Sequence, residues 1–295
     1  PHPPEPPIEP PIEPPEAPKP KIRVYVEALD LLNAEGDWRE FMQRAKSAGA
    51  TGLRILCDFA WNGPGTRPYE YAAYDEDTAQ KIRHKDPNDV KDIRNDGGIM
   101  TLVRKSGARF PLFDYKRPNP DYWGDLFLVL KYAAELDLEI ILSLLDYCTL
   151  KTGGDAKYFS PWYCAVQRMM PGVQNGTWGE QMKPWITAFY RRVLDVASAS
   201  EVRVRIEDMN EGWALGWPDS FVKDWFVWSN GVIRGLGIQQ ERIYSSVALA
   251  EIAELAGVFS LHGVGRAEDI KQVYGLPYSR LMFSSDGYKT GTGPA

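Results

Sequence analysis

Polar side chains that could take part in a reaction stand at the ends of several apolar runs in this sequence. In chain order they are Arg54 and Asp58, Asp146, Asn210 and Glu211, His262, and Asp286. If the runs are parallel strands of a barrel, their carboxyl ends converge on one mouth, so residues far apart in the chain become neighbours. Two facing carboxyl groups can cleave a glycosidic bond, because one protonates the leaving oxygen and the other attacks or activates water. The pattern therefore predicts a carboxylate-lined site suited to that reaction.

Strand-like and helix-like segments alternate from Lys21 onward, and these elements must position the polar residues. Seven strand-like runs occur, at 21–29, 51–59, 139–147, 202–210, 242–247, 257–263 and 280–287. Apolar residues recur at helical spacing in four segments, from Trp38 to Ala45, Leu126 to Ala134, Trp185 to Val193 and Phe221 to Leu236. Such alternation predicts right-handed βαβ units and a parallel sheet with helices outside.

The predicted fold class is α/β, as a (β/α)8 TIM barrel. A barrel is favoured over an open doubly wound sheet because no glycine fingerprint follows the first strand and polar residues cluster where the strands end. After Asp286 too few residues remain for an evident eighth strand. We therefore expect either an open barrel or a chain that stops before its natural end.

Two segments stand outside this alternation. Residues 1–20 hold eleven of the 23 prolines together with four glutamates, which predicts an extended polyproline II linker with an upstream module or anchor. A processing artefact is the alternative. Residues 60–121 are rich in Gly, Pro, Asp and Tyr, and IMTLVR and ARFPLF around residues 105–107 predict a small hairpin there. The predicted organisation is a linker over 1–20 and a barrel catalytic domain over 21–295.

Composition excludes several classes of function. The 34 basic and 40 acidic residues give a net charge of −6, and no long run of Lys or Arg could follow a phosphate backbone, so no nucleic-acid partner is expected. No stretch of eighteen apolar residues occurs, so no membrane span is expected. Three cysteines and three histidines are too few and too scattered for a disulfide scaffold or a zinc cluster.

The segment RIEDMNEGWA, at residues 205–214, resembles the Asn-Glu signature on the fourth strand of a large clan of glycoside hydrolases. This is clan A, the retaining (β/α)8-barrel enzymes that include cellulases, mannanases and β-galactosidases, and the likeness is to its family 5. The stretch DWREFMQRAKSAGATGLRIL resembles the opening of the clan's barrel, LKYAAELDLEIILSLLD its third unit, and VFSLHG its sixth strand. The resemblance spans most of residues 21–290, and Asn210-Glu211 is its sharpest part.

The resemblance implies roles for individual residues. Glu211 would be the general acid/base, Asn210 would bond the sugar 2-hydroxyl, and His262 would line the adjoining subsite. Arg54 would orient and charge-stabilise the nucleophile, or would simply pair with another barrel carboxylate. The clan has Glu on its seventh strand, where Asp286 is one methylene shorter. Three outcomes stay open: attack by Asp286 from a shifted strand, a wider gap that admits water and inverts the anomeric centre, or loss of catalysis.

Aromatic side chains near the strand ends predict the other half of sugar recognition. The apolar face of a pyranose stacks on a flat ring, while its hydroxyls need polar partners. The candidates for substrate binding on these grounds, with Asp146 as a polar partner, are Trp61, Tyr147, Trp213, Trp217 and Tyr288.

We therefore expect a glycoside hydrolase that cleaves β-linked polysaccharide or oligosaccharide, endo-acting, secreted or otherwise extracellular, and without need of a cofactor. The alternative is a non-catalytic glycan-binding or structural module of a larger secreted or virion-associated assembly. Two carboxyl groups facing each other across an aromatic-lined cleft would favour the enzyme. An aldolase-type barrel is disfavoured, because none of the predicted strand ends carries the Lys that a Schiff base needs.

Overall fold

A sheet of seven parallel strands forms the centre of the protein. The computed structural model describes residues 23–28, 31–33, 37–57, 67–83, 89–145, 183–207, 219–237, 242–244, 258–262 and 281–284. Its strands are β1 (Tyr25–Glu27), β2 (Gly52–Leu56), β3 (Tyr69–Tyr71), β4 (Val90–Asp96), β5 (Ile99–Arg104), β6 (Arg109–Pro118), β7 (Glu139–Ser143), β8 (Val204–Glu207), β9 (Arg242–Tyr244), β10 (Val258–His262) and β11 (Leu281–Ser284).

The order of the parallel sheet is β1-β2-β7-β8-β9-β10-β11, and each of its strands lies within one of the seven predicted runs. The order follows the chain without reversal, whereas a doubly wound sheet reverses at a switch point. Every neighbouring pair is parallel, as predicted. Among the described residues no strand pairing joins β11 to β1. The structure therefore shows a mixed α/β fold with a parallel sheet, and the predicted (β/α)8 barrel stays a prediction.

In the part of the chain that the structure describes, five α-helices accompany the strands: α1 (Trp38–Ser47), α2 (Glu76–Arg83), α3 (Pro120–Glu135), α4 (Lys183–Ala199) and α5 (Asp219–Gly235). α1 begins after Asp37, whose side chain accepts hydrogen bonds from the backbone N–H groups of Arg39 and Glu40. α3 begins in the same way after Asn119 and carries Pro120 at its first position, where no N–H is needed. None of the described helices is long and apolar enough to span a lipid bilayer.

The two faces of the parallel sheet differ in chemistry, because successive side chains of a strand point to opposite sides. On one face the strands contribute buried aliphatic residues, which join one hydrophobic cluster with side chains of α1, α3 and α4; those on the strands are Leu53, Ile55, Ile140, Leu142, Val204 and Ile206. The other face carries charged and polar residues, namely Glu27, Arg54, Glu139, Ser143, Arg205 and Glu207. We call this the polar face.

The excursion after β2 contains a second sheet, antiparallel, in the order β3-β6-β5-β4. Its β5–β6 hairpin confirms the prediction made around residues 105–107, whereas β3, β4 and α2 were not predicted. The sheet is joined to α4 by Tyr115, whose ring stacks on Trp185 with 5.1 Å between centroids and an interplanar angle of 8°. Trp123 of α3 donates from Nε1 to the carbonyl of Pro68 at 2.7 Å. The described part of the excursion therefore packs against α3 and α4.

Gly52 opens β2 at a position where a side chain would collide with its neighbours. A Cβ atom built on Gly52 comes 2.7 Å from two ring carbons of Tyr25 and closer still to the backbone oxygen of Glu139. We expect Gly52→Ala to lower the free energy of unfolding by about 1–3 kcal/mol, the usual cost of overpacking, measured by urea denaturation. The matched control is Gly124→Ala on α3, where the new methyl group meets nothing within 4 Å, and it should be neutral or stabilising. Equal losses would contradict this packing account.

Two buried tyrosines give a second test of the core. The Tyr69 hydroxyl has no hydrogen-bond partner among the residues that the structure describes, whereas the Tyr122 hydroxyl donates to the carbonyl of Cys57. Removing an unpaired buried hydroxyl costs nothing, while removing a paired one leaves its partner unsatisfied. Tyr69→Phe should therefore be neutral or stabilising, and Tyr122→Phe should cost about 1–3 kcal/mol of unfolding free energy. The reverse order would contradict the placement of these hydroxyls.

Tyr69 also makes the stability depend on pH. Burial raises the pKa of Tyr69 above its ordinary value, so the folded protein keeps this proton while the unfolded chain loses it near pH 10. The contribution of Tyr69 to stability is complete below about pH 10 and is lost as the pH rises further. Tyr69→Phe should accordingly lose less stability than the wild type when urea denaturation is repeated above pH 10, and an unchanged difference would contradict this.

Candidate active site

Arg54 lies on the polar face, between two carboxylates. Its Nε and Nη2 donate to Oε2 of Glu207, at 3.0 and 2.7 Å, and its Nη1 donates to Oε2 of Glu27 at 3.0 Å. The side chains of Arg54 and Glu207 are 1% and 0% exposed, and that of Glu27 is 27% exposed. We call these three residues the Arg54 triad. Of the two alternatives for Arg54, pairing with a carboxylate of the sheet is therefore observed.

Strand register brings the triad together. Glu27 ends β1 and is paired with Arg54 on β2, while Glu207 ends β8, two strands away from β2. The intervening strand β7 ends at Ser143, which is paired with both Leu56 and Glu207. Neighbouring strands are about 4.8 Å apart, so a long arginine side chain can reach across β7 to a glutamate. The triad thus lies toward the carboxyl ends of the strands, where barrel enzymes have their active sites.

The triad carries more negative than positive charge, and one of its oxygens lacks a donor. Two carboxylates face one guanidinium, and Oε1 of Glu207 is buried without a hydrogen-bond partner in the described part of the chain. The hydroxyl of Ser143, at the paired position on β7, is likewise buried and has no hydrogen-bond partner within the described ranges. A single water or ligand hydroxyl could bond both atoms, since a buried water usually has two to four polar partners. The two carboxylates of the triad therefore hold the Arg54 guanidinium in place, and Oε1 of Glu207 can accept a further hydrogen bond.

The amino end of the polar face is closed by a second cluster around Glu139. Glu139 accepts from Arg205 at 3.0 Å and from the hydroxyl of Tyr25, and Arg23 lies 3.6 Å away. Burial, followed by the bond to Glu139, raises the pKa of Tyr25 above its ordinary value. The Tyr25 ring covers Gly52, so this end is filled by protein side chains. We interpret the Glu139 cluster as structural.

Most of the predicted site residues lie outside the described residues. His262 ends β10, where its backbone is paired with Ser284 of β11, but its side chain is outside the described part. Arg54 is the one predicted site residue whose side chain the structure describes. The predictions for the following residues are therefore untested: Asp58, Trp61, Asp146, Tyr147, Asn210, Glu211, Trp213, Trp217, Asp286 and Tyr288.

The sequence did not indicate that Glu27 and Glu207 are site residues. Both stand in apolar runs, and a charge inside a buried strand is costly unless a partner of opposite charge is available. The presence of Arg54 in the neighbouring buried run was the signal that could have found them. Spacing along the chain could not, because 153 residues separate Arg54 from Glu207.

Two acidic loops that could be taken for calcium sites have other contacts. Asp75 accepts from the backbone N–H of Thr78, and Asn95 accepts from that of Gly98. Hydrogen bonds from Thr101 and then Arg109 hold the pKa of Asp96 below its usual value. Within the described ranges, no three His, Cys, Asp or Glu side chains are grouped so that they could hold a metal ion.

No protein-family model and no curated protein matches this sequence. Among solved structures the chain is similar to a protein from Bacteroides vulgatus ATCC 8482 that is proposed to be a glycoside hydrolase, with 14% identity and a TM-score of 0.46 over 82% of this chain and 39% of that one. It is also similar to the GH20 β-N-acetylhexosaminidase of Streptomyces coelicolor A3(2), with 12% identity and a TM-score of 0.43 over 89% of this chain and 47% of that one.

Dispersin B is a further similar structure, at 8% identity and a TM-score of 0.41, over 86% of this chain and 69% of dispersin B. These similar structures do not point specifically to family 5 or clan A, so the resemblance to that family and clan stays a prediction. The chain spans less than half the length of the first two. At such TM-scores the likeness is distant.

Proposed function

We propose that this protein is a glycoside hydrolase with a (β/α)8-type barrel, in which Glu211 is the general acid/base and Asp286 the opposing carboxylate. The observation that carries the proposal is the Arg54 triad at the carboxyl end of the parallel sheet. Glu207, which ends β8, leads after two residues into Asn210-Glu211, so the triad fixes the strand from which the proposed acid/base departs. The end of β11 likewise leads into Asp286.

The proposed chemistry needs only side chains. Glu211 gives a proton to the leaving oxygen. Asp286 either attacks the anomeric carbon, after which water hydrolyses the glycosyl-enzyme bond with Glu211 as the base, or it activates a water that attacks the anomeric carbon directly. A separation of about 5–5.5 Å between the carboxyl groups would give retention, and about 6.5–9.5 Å would leave room for water and give inversion. Arg54, held in the triad, orients the nucleophilic carboxylate and favours its ionised form. Asn210 bonds the sugar 2-hydroxyl, and no cofactor takes part.

The proposed substrate is a β-linked polysaccharide cut internally. Trp61, Tyr147, Trp213, Trp217 and Tyr288 would stack on successive sugar rings, and His262 and Asp146 would bond their hydroxyls. We further propose that residues 1–20 join this domain to an upstream module or anchor, and that the protein acts outside the cell.

The second candidate is a glycan-binding module that does not cleave. One observation favours it: all three guanidinium nitrogens of Arg54 donate to Glu27 and Glu207, so the arginine has a structural duty apart from catalysis. In this case the mouth of the sheet would bind saccharide without turnover.

The experiment that separates the candidates is a substrate panel with the purified protein. The panel contains β-glucans, mannans, xylans, galactans and N-acetylglucosamine polymers, and product anomers are followed by NMR. If the protein is a hydrolase, at least one polymer should give new reducing ends, and the first product should have a single anomeric configuration. Binding measured by calorimetry without any new reducing end would contradict the hydrolase and support the module.

A further inference from the structure

We propose that Glu207 is a positioning residue of the active site, which fixes the orientation of the Arg54 guanidinium. The inference rests on the proposed function for its catalytic part. Its structural part rests on the contacts of the Arg54 triad alone.

Charge balance does not account for Glu207. Glu27 alone would neutralise Arg54, and the second carboxylate brings the triad to an excess of one negative charge. Burying a further carboxylate is unfavourable unless its hydrogen bonds repay the loss of water. Glu207 is nevertheless the more deeply buried of the two acids, with an exposure of 0% against 27% for Glu27. The depth at which Glu207 is buried therefore points to a geometric role.

The hydrogen bonds of Glu207 show what that geometry is. Oε2 receives two donors, Nε and Nη2, from one edge of the guanidinium, while Glu27 receives Nη1 from another edge. Contacts on two edges fix both the position and the plane of the group. The side chain of Glu207 bonds no other described residue, and its Oε1 has no partner. Glu207 is thus dedicated to Arg54.

Glu139 provides the contrast on the same face. It is a partly buried carboxylate, 17% exposed, and it pairs with Arg205 at 3.0 Å. It lies at the amino end of the sheet and shares its oxygens among Tyr25, Arg205 and Arg23. Neutralising either glutamate should lower stability. Only neutralising Glu207 should also lower the rate of catalysis.

The test compares Glu207→Gln with Glu139→Gln, measuring kcat, KM and Tm on a substrate that the wild type cleaves. We expect Glu207→Gln to lower kcat by about 10–100-fold with KM changed less than about threefold, since misplacement of a group by roughly 1 Å costs up to this much. Glu139→Gln should lower Tm comparably and leave kcat within about threefold. Equal values of kcat in the two variants would overturn the catalytic role. If Glu207→Gln does not fold, Glu207→Asp keeps the charge, retracts the carboxylate and should give the same drop in kcat.

A second measurement does not depend on activity. The Nε–H signal of Arg54, assigned in 15N NMR spectra by its loss in Arg54→Lys, reports whether the guanidinium is held. We expect slow hydrogen exchange of this signal in the wild type and in Glu139→Gln, and exchange at least about tenfold faster in Glu207→Gln. Equal exchange in all three would overturn the inference. A protein that cleaves no glycan but shows this pattern would contradict the proposed function and leave the fixing of Arg54 by Glu207 established.

Discussion

Glu211→Gln should reduce the rate of glycan hydrolysis by at least ~10²-fold on every polymer that the wild type cleaves. A positioned proton donor contributes about 10²–10⁴-fold, and glutamine keeps the size and hydrogen-bonding shape of glutamate but cannot supply the proton. The rate is measured as new reducing ends per enzyme and time. The effect should fall on kcat, because proton donation to the leaving oxygen occurs in the transition state and not in substrate binding.

The matched control for this prediction is Glu201→Gln. Glu201 is an exposed carboxylate just before β8, ten residues upstream of Glu211, and it should leave kcat unchanged within about twofold. Substrates with a good leaving group need little proton donation, so the loss in Glu211→Gln should shrink on aryl glycosides. Equal rates for Glu211→Gln and the wild type on natural polymers would remove Glu211 from the mechanism.

Arg54→Met should lower the free energy of unfolding by about 3–5 kcal/mol. Methionine keeps most of the side-chain volume, so the loss comes from leaving two carboxylates without their common partner in a buried place. The measurement is urea denaturation at pH 7. The exposed pair of Arg109 and Asp96, at 2.5 Å, is the matched control, and Arg109→Met should cost no more than about 1 kcal/mol because water screens that pair.

Removing the charges as well should recover stability. Combining Arg54→Met with Glu207→Gln and Glu27→Gln replaces a buried ionic group by a neutral one, a change that is often neutral or stabilising relative to the broken pair. The triple variant should therefore unfold at higher urea concentration than Arg54→Met alone. A loss for Arg54→Met no larger than that for Arg109→Met would contradict the burial of the triad.

Much of the parallel sheet could be predicted because its strands are apolar runs separated by helices with clear periodicity. Ile140, Ile141 and Leu142 lie in a continuous apolar run, as expected for a strand covered on both faces. The four long helices carry apolar residues at helical spacing, and Trp185, Ile186 and Phe189 of α4 are buried as that spacing implies. Barrel closure has no such signal, because the pairing of first and last strands depends on tilt and register across the whole sheet.

The antiparallel sheet shows where local patterns fail. The hairpin of β5 and β6 has a tight turn at Gly107, where a positive φ of 86° suits glycine, and this was predictable. β3 is only three residues long, and β4 carries four charged side chains in seven residues. Both strands exist because β6 and β5 offer them backbone partners, which is information from distant residues.

The candidate site was predictable to the same limited degree. The position of Arg54 on the second strand marked it as a site residue, but its partners depend on the register of β1, β7 and β8. Glu207 lies in the segment RIEDMNEGWA, and its orientation toward β2 follows only from the strand order. The sequence therefore pointed to Arg54, whereas its partners followed only from the strand register.

The most direct test of the account is a crystal structure of the Glu211→Gln variant with a bound oligosaccharide from a cleaved polymer. The account predicts that residue 211 and Asp286 lie on opposite sides of one glycosidic bond, with their side-chain carboxyl or amide carbons roughly 5–10 Å apart. It also predicts Arg54 between Glu27 and Glu207 beneath that bond. Side chains of residues 211 and 286 in separate surroundings, with no groove between them, would contradict glycoside hydrolysis at this site.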